Sequence, residues 1–264
     1  MSSKKALPIS GTLTVMVIVV VLVPSALLDP TAEFEAAFLK KCVEFPEDKN
    51  TCKATLAIFE EAYVGKKKTA VTEDSYNKLF DKTPFKHPCG ETMLYSGIDR
   101  VKTTDVVHRF TKKTGSYFTL EDTLLGHVLD GLIWCGKEGS KETFTEHCTD
   151  TMPNPYISFW IMASVKVAQY ACGHVTVMLD GEREQPYYDK SVFATHEVPN
   201  LQSPEVKNLV VILVVGQKDD TKCNKESLKN LSNILKGKKI GYACKEVTLA
   251  HIEECIKEGK GVCW

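Results

Sequence analysis

Two short segments set carboxylates beside aromatic side chains. Thr119-Leu-Glu-Asp122 brings Glu121 and Asp122 together, and Ser191-Val-Phe-Ala-Thr-His-Glu197 carries Phe193 and ends on Glu197. Between them lies Ser158-Phe-Trp160, with Ser164 one helical turn further on. Carboxylates near aromatics can steady a developing cation or attack an electron-poor carbon. Other chemistries lack their signatures: there is no G-x-G-x-x-G, no G-x-x-x-x-G-K-[ST], no His-Glu-x-x-His and no G-x-S-x-G. Each residue also has a plain alternative. An acid in a first helical turn ordinarily complements the helix dipole, a tryptophan on a helix face is ordinarily core, and Glu197 would ordinarily be solvated.

The elements that must hold these groups follow from pattern. Thr119 followed three places later by an acid is a capping-box variant, and Leu124, Leu125, Val128, Leu129, Leu132 and Ile133 continue it as a helix. A second helix, about Tyr156 to Ala171, places Tyr156, Trp160, Ala163, Val167 and Tyr170 on one face. Helical spacing also marks Glu33 to Phe45 and Lys53 to Val64, while Lys66-Lys67-Lys68 reads as a solvated loop. Beyond Cys172 the period changes. Val175 to Leu179 is a strand ending in Asp180-Gly181, and Asn208 to Val215 is a continuous apolar run of the kind buried on both faces of a parallel sheet. Lys225 to Lys236 then reads as a helix and Lys239 to Cys244 as a strand, which makes a βαβ unit. The fold class expected is α+β: a helical half packed on a Rossmann-like α/β half with a small, mostly parallel sheet.

Charge and cysteine content bound the partners and the compartment. The chain has 264 residues, and 33 basic against 34 acidic side chains leave a net charge of -1, so nothing recommends a nucleic-acid partner. Cysteines stand at 42, 52, 89, 135, 148, 172, 223, 244, 255 and 263. An even count at this density suggests disulfides and an oxidising compartment, and no Cys-x2-Cys or Cys-x4-Cys pair supports the zinc alternative. Lys4 and Lys5 precede an uncharged apolar stretch from Gly11 to Leu28, followed by Asp29, Glu33 and Glu35. Eighteen residues make roughly 27 Å of helix, enough to cross a bilayer, and the flanking charges place the body outside the cytosol. That reads as a single-pass type II anchor, with a cleaved signal peptide at Pro24-Ser25-Ala26 and a secreted body as the alternative. Asn230-Leu231-Ser232 is the one standard glycosylation sequon.

At this point the residues resemble a known family. Thr119-Leu-Glu-Asp-Thr-Leu-Leu-Gly126, Leu132-Ile-Trp-Cys-Gly136, Ser158-Phe-Trp160 with Ala163-Ser164, and Ser191-Val-Phe-Ala-Thr-His-Glu197-Val-Pro-Asn-Leu201 look like the ADP-ribosyl cyclase / cyclic ADP-ribose hydrolase family, the CD38-like NAD glycohydrolases. The likeness runs from about Phe34 to the end. It implies an enzyme that cleaves the nicotinamide-ribosyl bond of NAD to nicotinamide, ADP-ribose and cyclic ADP-ribose, calcium-mobilising products, with base exchange on NADP at acidic pH. NAD and NADP are then substrates, and no metal or bound cofactor is required. The resemblance makes Glu197 the nucleophile or ion-pair partner of the ribosyl cation, supported by Ser164. It makes Glu121 the group that holds nicotinamide and biases the intermediate between water and adenine, with Asp122 beside it as a substrate-binding acid. Trp160 and Tyr95 would stack on the substrate, Ser191 and Phe193 would lie in the phosphate-contacting segment, and Asp130 would be a rim acid. The same likeness implies the bridges Cys42 with Cys52, Cys89 with Cys172, Cys135 with Cys148, Cys223 with Cys244 and Cys255 with Cys263. The domain plan expected is a tail at 1–10, the anchor at 11–28 and an ectodomain at 29–264, helical over about 30–88 and 119–171 and α/β over about 89–118 and 172–264. A homodimer is left open.

Two positions depart from the family pattern. Leu94-Tyr95-Ser96 stands where Trp-Ser is usual, which trades stacking area for a hydroxyl, and Val192 stands where mammalian members tend to carry Thr. The rival reading is therefore a receptor or adhesion ectodomain with weak turnover on the same scaffold, and a third is a secreted glycosidase acting on other nucleosides.

Overall fold

A computed structural model of the chain describes residues 29–45, 49–98, 106–144, 148, 152–219, 221–259 and 263–264. The apolar segment 11–28 lies outside the described residues, and among these no helix is long and apolar enough to cross a membrane.

Four parallel strands form one sheet in the order β1 (Met93–Ser96), β2 (Gly173–Asp180), β3 (Val206–Val215), β4 (Gly241–Thr248). Their register aligns Tyr95 with Met178, and Met178 with Ile212. Alternation along the strands sends Val175, Val177 and Leu179 and Leu209, Val211 and Leu213 to one face. That face meets α8 (Glu226–Gly237) through Leu228, Leu231 and Leu235, and the helical layer. Met178, Ile212 and Val214 point the other way, onto α4 (Val106–Thr114) and α9 (Leu249–Glu258) through Val107, Phe110 and Ile252. The unbroken apolar run of β3 is thus covered on both sides, as its composition predicts.

The helical layer contains α1 (Pro30–Cys42), α2 (Lys49–Tyr63), α3 (Asn77–Lys82), α5 (Leu124–Leu129) and α6 (Pro155–Tyr170). Its centre is aromatic: Phe34, Phe38, Phe59, Tyr63, Tyr76, Trp134 and Phe159 are buried against one another. The buried hydroxyls find partners. Tyr63 donates to Thr143 O at 2.6 Å, Trp134 Nε1 donates to the Tyr76 oxygen at 3.4 Å, and Tyr76 donates to Pro155 O at 2.8 Å. The last bond seats the first residue of α6, so the tryptophan of the Trp-Cys-Gly motif is a core side chain that fixes a functional helix.

The ten cysteines form the five pairs that the resemblance implies, which leaves none free for zinc. Several expected boundaries shift. Thr119 does not open a long helix: it caps a 3₁₀ turn, Leu120–Asp122, and Thr123 then caps the short α5 by accepting from Gly126 N. β4 runs to Thr248 rather than stopping at Cys244. The strand β1 and the helices α4 and α9 were not anticipated by periodicity. Tyr170, the last residue of the expected α6 face, is exposed at the helix end and donates its hydroxyl to His87 O.

Candidate active site

The functional groups converge because four local devices face one cleft. The first is α6. Tyr156, Trp160, Ser164 and Val167, at intervals of four, four and three, share a helix face, and all line a cavity of about 550 Å³. The indole of Trp160 stands against Phe159 and Tyr156, with centroids 5.0 and 6.2 Å away, and its Nε1 is buried without a partner. The second is the turn Leu120–Asp122. Asp122 Oδ2 accepts from Thr119 N and Thr119 Oγ1, both at 2.9 Å, which closes the turn and turns Glu121 into the cavity. Gly126 permits the turn to sit on α5, since a Cβ there would lie 1.9 Å from Leu120 O.

The third device is a π turn. Phe193–Glu197 closes with the wider i to i+5 bond, Val198 N to Phe193 O, and runs directly into the short α7 (Val198–Asn200). Such insertions are uncommon outside functional sites, and this one ends on the buried Glu197. The fourth is the carboxyl end of the sheet. Tyr95, Ser96 and Gly97 finish β1, and the loop after β2 supplies Arg183, Tyr188 and Lys190, so the cleft opens where parallel strands usually present ligands.

Electrostatics set the character of the deep end. Tyr95 donates its hydroxyl to Glu121 Oε1, while Glu121 Oε2 and Glu197 Oε2 are buried without partners. Burial pushes the Glu197 carboxyl up to about 8; the Ser164 hydroxyl pulls it down, and the facing Glu121 carboxylate raises it further. Burial likewise raises Glu121, against the lowering effect of the Tyr95 hydroxyl. Two carboxylates that resist ionisation together will accept a cation between them. The outer rim has the opposite sign, with Arg183 and an exposed Lys190.

Of the residues expected at the site, Glu197, Glu121, Trp160, Tyr95, Ser164, Phe193 and Ser191 all line the cavity. The structure places two others elsewhere. Asp122 spends its carboxylate on Thr119, with His108 Nδ1 3.8 Å from its other oxygen, and does not line the cleft. Asp130 is exposed at the end of α5, where Lys41 Nζ binds its main-chain oxygen; its carboxylate reaches the site only as a distant charge that raises Glu121. Ser191 lines the cleft, yet its hydroxyl donates to Tyr188 O at 2.7 Å and accepts from Ala194 N at 3.1 Å, which makes it a brace for the π turn. Arg183 and Lys190 were missed. Their signal was available: cations in the loop that leaves the carboxyl end of a buried parallel strand.

Comparison with known proteins identifies the family. The ADP-ribosyl cyclase family model matches residues 31–263. ADP-ribosyl cyclase/cyclic ADP-ribose hydrolase 1 of Mus musculus is 32% identical over 264 residues, covering 93% of this chain and 85% of its own length. The ADP-ribosyl cyclase/cyclic ADP-ribose hydrolase of Aplysia kurodai is 32% identical over 238 residues, covering 84% and 83%. Among solved structures, porcine CD38 with a covalent intermediate superimposes with a TM-score of 0.74 at 30% identity, over 83% of this chain and 97% of that one. Aplysia cyclase complexed with substrate NGD and product cGDPR gives 0.72 at 30% identity, over 86% and 93%. A family model that spans nearly every residue after the apolar segment, and relatives alike along most of their length, establish that the chain belongs to the ADP-ribosyl cyclase family.

Proposed function

We propose that this protein cleaves the nicotinamide-ribosyl bond of NAD, releasing nicotinamide and forming ADP-ribose and cyclic ADP-ribose. The observation that carries the reading is the pair of carboxylates, the buried Glu197 and the half-buried Glu121, each with one buried, unpartnered oxygen in the cavity that Trp160 also lines. The nicotinamide ring of NAD is a cation, and its entry gives this pair the positive charge that both acids lack. As the C1′–N bond breaks, its electron pair goes to nicotinamide, which leaves neutral and needs no general acid. Positive charge passes to the ribosyl carbon, where Glu197 meets it as an ion pair or through a new C–O bond. Attack by water gives ADP-ribose, and attack by the adenine nitrogen gives the cyclic product; either restores the carboxylate.

In this reading Trp160 and Tyr95 flank the nicotinamide, and Glu121, oriented by the Tyr95 hydroxyl, keeps Oε2 for the carboxamide of the base. Residues 11–28 anchor the enzyme as a type II membrane protein with its body outside the cytosol. Five disulfides support such an oxidising compartment.

The test is nicotinamide release from NAD by the purified body, beside Glu197→Gln. The substitution keeps size and removes charge, and the rate is expected to fall by roughly 10³-fold or more, given what one charge aimed at a transition state contributes. Release by the variant at the wild-type rate would remove Glu197 from the chemistry.

A further inference from the structure

Resting on the reading of the cleft given above, we propose that Arg183, laid across Gly97 at the carboxyl end of β1, grips the substrate's phosphates and makes the enzyme prefer phosphorylated pyridine nucleotides to the bare nucleoside. Gly97 has φ +76°, and a Cβ there would lie 2.3 Å from Arg183 Nη1 and 2.6 Å from Cζ. The guanidinium therefore occupies the space that any side chain at 97 would need. Only glycine both adopts that backbone and leaves that room.

The main chain beneath Arg183 is pinned from several sides. Lys225 Nζ donates to Gly181 O at 3.0 Å and to Arg183 O at 2.5 Å. Between them, Glu182 Oε1 accepts from Gly216 N and Lys222 Nζ, both at 2.7 Å. A long arginine side chain rooted this way loses less freedom when it takes a ligand. Its carboxylate partner among the described residues is the buried Asp180, with Nε 3.7 Å from Oδ2, which steers the guanidinium without a hydrogen bond to that oxygen. The planar fork suits two phosphate oxygens at once, and Lys190 adds a second cation on the same rim. With carboxylates deep and cations outside, a dinucleotide with a cationic base and anionic pyrophosphate has one favourable direction of entry.

The test compares NAD with nicotinamide riboside, which has the scissile bond and no phosphate, in wild type, Arg183→Gln and Arg183→Lys. The ratio of kcat/KM for the two substrates is expected to fall about 10- to 100-fold in Arg183→Gln, mainly through KM for NAD, as loss of charge-assisted bonds predicts, with partial return in Arg183→Lys. ADP-ribose binding, measured by calorimetry without turnover, is expected to weaken by a similar factor. Gly97→Ala should weaken it too and should add little to Arg183→Gln, because both act on the same guanidinium. An unchanged ratio with unchanged ADP-ribose affinity, or an equal loss on both substrates, would overturn the assignment. Should wild type release nicotinamide from neither substrate, the glycosidic reading fails by itself, and ADP-ribose binding still decides the role of Arg183.

Discussion

At the scale of single residues, the paired acids Glu197 and Glu121 are expected to make the proposed reaction pH-sensitive in a defined direction. In the proposed reaction Glu197 works as an anion, while burial, and to a lesser degree the Glu121 charge, raises its carboxyl to about 8. A raised carboxyl is protonated below that value, so kcat/KM, which reports the free enzyme, is expected to climb with pH through a midpoint at about 8 and to level off beyond it. The apparent value belongs to the coupled pair. Glu121→Gln removes the facing charge, so the midpoint should move to lower pH while remaining above that of an ordinary glutamate, since burial is the larger cause. A pH profile of NAD cleavage for both proteins checks this, and a midpoint moving upward in the variant would contradict it. Tyr95 offers a second test. Its hydroxyl ties Glu121 Oε1, so Tyr95→Phe frees an oxygen while keeping the ring, and Tyr95→Trp enlarges the ring while losing the tie. If Glu121 biases the intermediate between water and adenine, both variants should change the proportion of cyclic product by several-fold, read by chromatography. Equal proportions in all three proteins would show that this bond has no part in partitioning.

At the scale of elements, the site depends on short devices as much as on long helices, and that decides what could be read in the sequence. The α6 face and the double-sided burial of β3 were legible because periodicity accumulates over many residues. β1 has four residues, too few for a pattern, and takes its strand character from pairing with β2. The π turn is invisible to a period of 3.6, although the motif that ends on Glu197 was visible through the family resemblance. Arg183 was overlooked for another reason: its loop position was a signal, but the space its guanidinium fills is left by a glycine 86 residues earlier in the chain. The motif around Glu121 was found, and the structure places its two acids differently. Asp122 was expected to bind substrate, whereas the structure gives it to the cap of the turn that aims Glu121. The two roles predict different losses. As a cap, Asp122→Ala should cost about 1 kcal/mol, or roughly 2–4 °C in melting temperature for a chain this size, together with a fall in kcat as Glu121 loosens. As a direct ligand it would raise KM and leave the melting temperature where it was. Thermal unfolding beside NAD kinetics separates the two.

At the scale of the whole molecule, the sheet has two ends with different duties. The cleft lies at the carboxyl ends of β1 and β2, and the Cys89–Cys172 bridge lies at their amino ends, where Gly90 N also binds Cys172 O at 2.9 Å. That bridge spans 83 residues, including α4, α5 and all of α6, so in the unfolded chain it restrains the segments that bring Tyr95, Glu121, Trp160 and Ser164 together. The Cys255–Cys263 bridge spans 8 residues beyond β4 and restrains a far shorter segment. Chain-entropy reasoning gives about 4.5 kcal/mol for closing the long loop and about 2.5 kcal/mol for the short one. Serine at both positions of the long pair should therefore lower the denaturant midpoint more than serine at both positions of the short pair, by the equivalent of about 2 kcal/mol. Because Cys89 and Cys172 lie at the far end of the strands from Glu197, the fraction that stays folded should keep its kcat for NAD within about twofold. A collapse of kcat in protein that is still fully folded would mean that the bridge strains or steers the cleft. The clamp would then belong to the catalytic architecture, and the separation between a stabilising amino end and a reactive carboxyl end, the usual arrangement of parallel sheets, would not hold for this protein.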